Sequence, residues 1–447
     1  MKRYSYILIM ITLLLGRAGV GFSQDYSRLG ERTIMGTARY MGMGGAMTAI
    51  GGDPSAVLDN PAGLGIYRRF EMLLTGGYAF AGNNHLKAPY NNSANTMLLP
   101  QASLVISHPT YRTDDKGVMF HNFMFSYQRL HSFNRVLSGS AENSTSMGYL
   151  FGGTGVNLGI PYCSDTKNTY NNLLLNERGY VDQYSFHWAL NIAERWYAGV
   201  GLHIQSYLLS SDANYYETFA NGTTGRADYY NENITSVMLS GAGFNMSLGV
   251  LYRPLSWLRL GAGVQFPTIG SLHTSTYGRL NAQTDSLCTT YAPELRFSDN
   301  SFHMPWHLST SVAFQVGGYA LMALQYDFTK SSSQQPLHSM RAGVEVIPVM
   351  GLYLNAGYVF ETNGSSYASP VGVDPTLDRQ DAYSVFAHNA HYASCAVGYR
   401  GTYMIVQLAY QYHLQQPFLF AHEYTSPYKD VSYQNNRIVL TLGWHLN

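Results

Sequence analysis

Enzyme or metal chemistry needs histidine, cysteine or acidic side chains gathered at workable spacings. The chain carries 15 His, 3 Cys and 27 acidic residues. His121, His203, His413 and His445 fall in strand-like stretches. No pair of them has the spacing of metal or haem ligands, and they read as polar residues on the wet face of strands. No CxxC and no Cys/His cluster with zinc spacing occurs. Cys163 and Cys288 lie in polar, turn-rich stretches. They could pair in an oxidising compartment or remain two free thiols. Cys395 sits in a strand pattern as a small packing residue. No G-x-S-x-G nucleophile motif is present. Asp53 and Asp59 flank a turn, where carboxylates are solvated or bonded to turn amides. The expectation is a protein that is not an enzyme and holds no cofactor and no metal. What remains is a Gly-rich run ending in Asn60-Pro61-Ala62-Gly63-Leu64, which by itself reads as an ordinary turn.

The elements that position this turn follow from composition. Charged residues are 12% of the 447, about half the ~25% of ordinary soluble domains. Basic and acidic residues balance at 27 each, so a basic nucleic-acid surface is excluded. Aromatics reach 14%, with 37 Tyr, which excludes disorder. Mean hydropathy is only -0.13. After the N-terminus there is no apolar run of the ~20 residues a transmembrane helix needs. Low charge, abundant Tyr and Gly, and modest hydropathy point to strands with two unlike faces.

Lys2 and Arg3 precede an apolar stretch, Tyr4 to Leu15, that is short for a bilayer span. Gly21-Phe22-Ser23 offers a small-residue cleavage site. Residues 1–23 therefore read as a secretory signal peptide. No Cys lies near the cleavage site, so a lipoprotein anchor is not expected.

From residue 70 onward, apolar and polar residues alternate with period two. Trp196, Ala198, Val200, Leu202 and Ile204 alternate with Tyr197, Gly199, Gly201, His203 and Gln205. Met404, Val406, Leu408, Tyr410 and Tyr412 share one parity; Gln407, Gln411 and His413 share the other. Strands are expected near 70–81, 98–108, 118–130, 182–193, 196–210, 236–253, 258–273, 301–315, 319–329, 337–347, 351–362, 389–399, 403–414 and 432–447. Short connections, as at Glu194–Arg195, alternate with long polar ones near 82–96, 131–181, 211–235, 274–300, 363–388 and 415–431. Fourteen strands with long loops at one end only predict an all-β fold, a transmembrane antiparallel β-barrel. It would occupy 70–447, with residues 24–69 as an N-terminal plug, in a Gram-negative outer membrane.

Gly36 to Leu64 (GTARYMGMGGAMTAIGGDPSAVLDNPAGL) resembles the N-terminal hatch of the FadL-type outer-membrane transporters of long-chain fatty acids and other hydrophobic compounds. Those proteins carry a small-residue run, an acidic residue or two, then Asn-Pro-Ala-Gly-Leu just before the first strand. The resemblance covers the hatch residue by residue, and the barrel in strand number and loop pattern. It implies passive transport of a hydrophobic small molecule, caught among extracellular loops and released sideways into outer-membrane lipid when the hatch moves. It casts Asn60, Pro61, Ala62 and Gly63 as hatch and gating elements. In that family a kinked third strand makes the lateral opening, whereas Val118 to Leu130 contains no Gly or Pro. Many outer-membrane barrels end on an aromatic residue; here Trp444 is the nearest equivalent. A second reading is a barrel of similar architecture that serves as an interaction or shuttle component with secretion-system proteins, as in type IX secretion.

Overall fold

The computed structural model describes residues 32–82, 95–110, 117–141, 170–220, 227–283, 288–291, 296–330, 336–362, 383–385, 389–415, 418–420 and 433–446. The proposed signal peptide, residues 24–31 and Cys163 lie outside them. Cys288 is described in its backbone alone, so the pairing question is not posed by these residues.

Fourteen staves form one closed antiparallel barrel. They are β1 (Phe70–Gly82), β2 (Thr96–Pro109), β3 (Val118–Ser132, then Arg135–Ala141), β4 (Tyr170–Ile192), β5 (Trp196–Ala220) and β6 (Ala227–Leu255). Next come β7 (Leu258–Gln265, then Ile269–Gln283), β8 (Arg296–His303, then Trp306–Val316), β9 (Ala320–Lys330) and β10 (Leu337–Val346). The last are β11 (Leu352–Glu361), β12 (Ala390–Arg400), β13 (Met404–Gln415) and β14 (Tyr433–Leu446). Pairing of β1 with β14, from Phe70↔Leu446 to Gly82↔Gln434, closes the ring. Closure removes the open sheet edges that lipid cannot solvate.

All fourteen expected strands are present, but three are far longer than expected. β4, β5 and β6 have 23, 25 and 29 residues, well past the ~9–11 needed to cross lipid. Much of what reads as loop in 131–181 and 211–235 is therefore strand. The reason is that pairing, as in Asn171↔Glu217 and Tyr215↔Asn233, continues where no lipid face demands apolar alternation. The 274–300 stretch likewise holds strand, including Cys288–Tyr291 against Leu280–Gln283. Tyr383–Val385 and Phe418–Phe420 pair as a separate two-stranded sheet.

Parity sets the two surfaces. Ile204 is 58% exposed on the outside, while neighbouring His203 is fully buried inside. Leu74, Leu202, Leu324 and Leu408 also face outward, and Thr75, Gln325 and Gln407 inward. Trp196 stacks on Tyr252 at a ring distance of 3.9 Å by the short-turn end of the barrel, as an interfacial aromatic belt requires.

The inward face is not merely polar; it is recessed. Residues 32–69 lie within the ring and touch the wall on most sides. This segment folds as α1 (Ala38–Gly42), α2 (Ala56–Asp59) and a 3-10 turn (Pro61–Ile66). Met43 and Gly44 rest on Gly343 and Gly357, and Thr48 and Ala49 on Gly261. Asp59 to Ala62 rest on Gly263, Gly249 and Gly199. A Cβ on any of these wall glycines would collide with backbone of the N-terminal segment. The glycine excess on inward positions is thus what lets a backbone lie flat against the wall.

Candidate functional site: the N-terminal segment and the wall it covers

The Asn60–Gly63 turn is assembled by local chemistry and then fastened to the barrel. Asn60 is extended, with φ -145° and ψ 101°, and caps the 3-10 turn by accepting from the Ala62 amide at 3.1 Å. Pro61 sits in the first turn, where its missing N–H costs nothing. The Asn60 amide group donates to the Thr48 carbonyl at 2.9 Å and to the Val250 carbonyl of β6 at 3.1 Å. Ala62 packs with Tyr197 and Leu251 of the wall. Gly63 lies against Gly51, whose φ is +62°, and its carbonyl accepts from Gly52. The structure brings all four sequence-identified residues into one turn, and Asn60 ties that turn to β6.

Two buried ionic clusters hold the segment elsewhere. Arg39 of α1 grips Glu345 of β10 through two bonds, at 2.6 and 2.8 Å, and Asn355 donates to the same carboxylate at 2.9 Å. Asp59 accepts from the Tyr40 hydroxyl at 2.8 Å and lies 3.4 Å from the Arg341 guanidinium. Arg341 also lies 2.7 Å from Asp327 of β9. Burial, and then the Asp59 carboxylate, push the Tyr40 phenol well above its ordinary range, so it remains a donor. The Arg39–Glu345 and Asp59–Arg341 partners sit about three hundred positions apart in the chain, and no local spacing marks them.

Asp53 accepts from the Thr37 hydroxyl at 2.7 Å and from the Ser55 amide at 2.9 Å. Burial raises its pKa, and Arg39 and these bonds only partly offset that. The folded state therefore holds the Asp53 proton more tightly than the unfolded chain does. Its contribution to stability is fully present below the unfolded pKa and is lost as pH rises through the raised folded value. Unfolding midpoints measured against pH should decline over that window in the native protein and stay flatter in Asp53→Asn. Parallel profiles would contradict this.

The segment also covers an interruption in the wall. β2 and β3 pair from Pro109↔Phe120 only as far as Gln101↔Gln128. Beyond that, among the described residues, Thr96–Pro100 has no ladder partner in β3, although the Asn134 side chain donates to the Thr96 hydroxyl at 3.2 Å, and the ladder of Arg129–Ala141 is with β4 alone. β3 itself breaks at Phe133–Asn134. The Phe133 amide there donates to the carbonyl of Gly179, whose φ is +132°. A side chain at Gly179 would strike the Leu208 carbonyl. The third strand is thus interrupted just past the stretch that lacks Gly or Pro, and the permissive glycine is on its neighbour. The N-terminal segment lies against the freed edge. Thr33 donates its amide to the Leu130 carbonyl at 2.9 Å and its hydroxyl meets His131 at 2.8 Å. Gln128 donates to the Met35 carbonyl at 2.7 Å. Met35 packs with Ala79 and Leu98.

Behind this edge is an apolar cluster that includes Leu58, Leu130, Phe133, Tyr207, Phe302 and Met304. A cavity of ≈ 30 Å³, about one water in size, adjoins it, lined in part by Arg32, Gln205, Thr268, Met304, Pro305 and His307. Arg32 donates to Gln265 at its rim, and burial lowers its pKa. The four singled-out histidines are dispersed. His121 stacks on Trp188 outside, and His203 lies between Ser185 and Ser247 at 2.8 Å from each. His413 stacks on Tyr392, and His445 lies 3.3 Å from Glu71.

No known family model matches the chain. No curated protein sequence matches it. Solved structures do match in fold. A FadL homologue of Pseudomonas aeruginosa superposes with a TM-score of 0.60 at 12% identity, over 93% of this chain and 99% of that one. The toluene transporter TbuX of Ralstonia pickettii gives 0.55 at 14%, and the toluene transporter TodX of Pseudomonas putida gives 0.51 at 14%, each over 93% of this chain and 99% of the other. The chain has the fold of the FadL-type outer-membrane transporters.

Proposed function

We propose that the chain is an outer-membrane channel that admits a hydrophobic small molecule, long-chain fatty acid-like, by passive diffusion, with residues 24–69 as its hatch. The observation that carries this reading is the unpaired β2–β3 edge, covered from inside by Thr33 and Met35 and backed by Leu130 and Phe133. A lateral exit there would pass an apolar tail into hydrocarbon without exposing it to water, a gain of about 0.8 kcal/mol per methylene. The fold of toluene transporters supports the chemistry of the cargo. In this reading Asn60, Pro61, Ala62 and Gly63 form the pivot. They stay fastened to β5 and β6 while the stretch from Arg32 to Met35 swings away.

The test uses Gram-negative cells that lack their own fatty acid transporter. The protein should raise the uptake of radiolabelled oleate above that of vector cells. A disulfide between Thr33→Cys and His131→Cys, in a background without native cysteines, should slow uptake when oxidised and release it on reduction. Uptake at the vector rate would sink the transport reading. Uptake indifferent to the disulfide would sink the proposed exit.

A further inference from the structure

A second interruption crosses the wall where the sequence pattern reads two unbroken strands. β7 stops at Gln265 and resumes at Ile269, while β8 stops at His303 and resumes at Trp306. The ladder between them holds at Gln265↔His307 and at Ile269↔His303. Between those pairs lie Phe266, Pro267 and Thr268 on one side and Met304, Pro305 and Trp306 on the other. Each proline removes a backbone donor, and prolines inside barrel strands are ordinarily avoided for that reason. Among the described residues, the one backbone bond across this interval runs from the Met304 amide to the Thr268 carbonyl, at 2.9 Å. The Phe266 amide turns to β6 instead, donating to Met246.

Three features set this seam apart from a simple bend. A bend needs one extra residue on one strand; here β7 is interrupted at Phe266–Thr268 and the facing β8 at Met304–Pro305. The luminal cavity opens directly on it, since Thr268, Met304 and Pro305 are cavity-lining residues. The side chains of Thr268 and Phe302 pack directly over Gly243, and Phe302 over Gly270, at the inner face of the seam. The apolar cluster then spans the lumen, from Leu130 and Phe133 beside the β2–β3 edge to Phe302 and Met304 at the seam. Tyr207 meets Phe302 edge-on at 5.2 Å in between. On the outside, Ile269 is 56% exposed.

We infer that the β7–β8 seam is a second lateral passage for an apolar molecule, joining the luminal cavity to lipid independently of the β2–β3 edge. The inference rests on the transport reading above. Met304 and Thr268 form the inner mouth, and Pro267 and Pro305 keep the ladder from zipping shut.

Oleate uptake by the oxidised Thr33→Cys/His131→Cys protein isolates the seam, because its β2–β3 edge is sealed. Closing one of two equally conducting routes leaves about half the wild-type rate. Adding Pro267→Val with Pro305→Val, which restores both donors, should bring the remainder down to the vector rate. Met304→Trp, which fills the inner mouth without touching the ladder, should do the same and covers the case in which the valine pair fails to fold. Heat-modifiable electrophoretic mobility reports folding in each case. An oxidised protein already at the vector rate overturns the seam while leaving transport intact. So does a remainder that folded valine or Met304→Trp protein leaves unchanged. Unsealed wild-type protein no faster than vector overturns the transport reading and the seam with it.

Discussion

Gly249→Val should loosen the Asn60–Gly63 turn from the wall, costing about 3 kcal/mol of stability and leaving the barrel leaky to small ions. A Cβ at this position falls on the Asn60 side-chain oxygen, 2.9 Å from Pro61 Cδ and 3.0 Å from the Pro61 nitrogen. The Pro61 atoms are ring and backbone with no rotamer to yield, and the Asn60 side chain is held in place by its bonds to Thr48, Val250 and Ala62. Overpacking of this kind costs about 1–3 kcal/mol. Relief by shifting the turn would stretch the Asn60 bonds to Thr48 and Val250, each worth roughly 0.5–1.5 kcal/mol. Gly76 is the control, because a Cβ there meets nothing within 4 Å. Gly76→Val should stay within about 0.5 kcal/mol of the native protein. Urea unfolding in lipid gives the first readout and conductance in planar bilayers the second. Equal midpoints for the two variants would show that the turn is not seated as described.

The contrast between Gly249 and Gly76 also shows where sequence reasoning reached and where it stopped. Period-two alternation placed all fourteen strands, because lipid on one side and polar contents on the other impose it directly. It put Gly199 on the polar parity with His203 and Gln205, yet could not say that this glycine marks a contact with one particular backbone stretch. That information is three-dimensional. The ends of β4, β5 and β6 were missed because the Tyr- and Asn-rich pairs beyond the bilayer need no apolar face. The break in β3 was missed because its signal, Gly179, belongs to β4. Pro267 and Pro305 were legible as residues, but the alternation around them is strong enough to hide the seam. The Asn60–Gly63 turn was found through its resemblance to the FadL-type hatch, which a contiguous motif can carry; by local chemistry alone it reads as an ordinary turn. The Arg39 and Arg341 clusters were invisible because their partners are set by barrel closure.

Glu345→Gln should destabilise the protein by about 3–5 kcal/mol, the cost of leaving a buried guanidinium without its carboxylate. Both side chains are buried, at 10% and 4% exposure, so solvent does little to screen the loss. Burial alone would lower the Arg39 pKa; the Glu345 carboxylate reverses this and holds the cation charged. In Glu345→Gln that charge persists with weaker company, the Gly52 carbonyl at 3.4 Å and the more distant Asp53 carboxyl. Helix α1 then loses its anchor to β10. Since α1 begins three residues after Met35, the seal at the β2–β3 edge should loosen with it, and basal leak should rise. Arg39→Met combined with Glu345→Met removes both charges. Replacing a buried pair by apolar residues of similar size is often neutral, so the double variant should recover most of the stability lost in Glu345→Gln. Double-mutant unfolding energies measure the coupling, and bilayer conductance tests the leak. If the double variant is as unstable as the sum of its single changes, the two residues act independently, and the latch between the N-terminal segment and β10 is not where the structure places it.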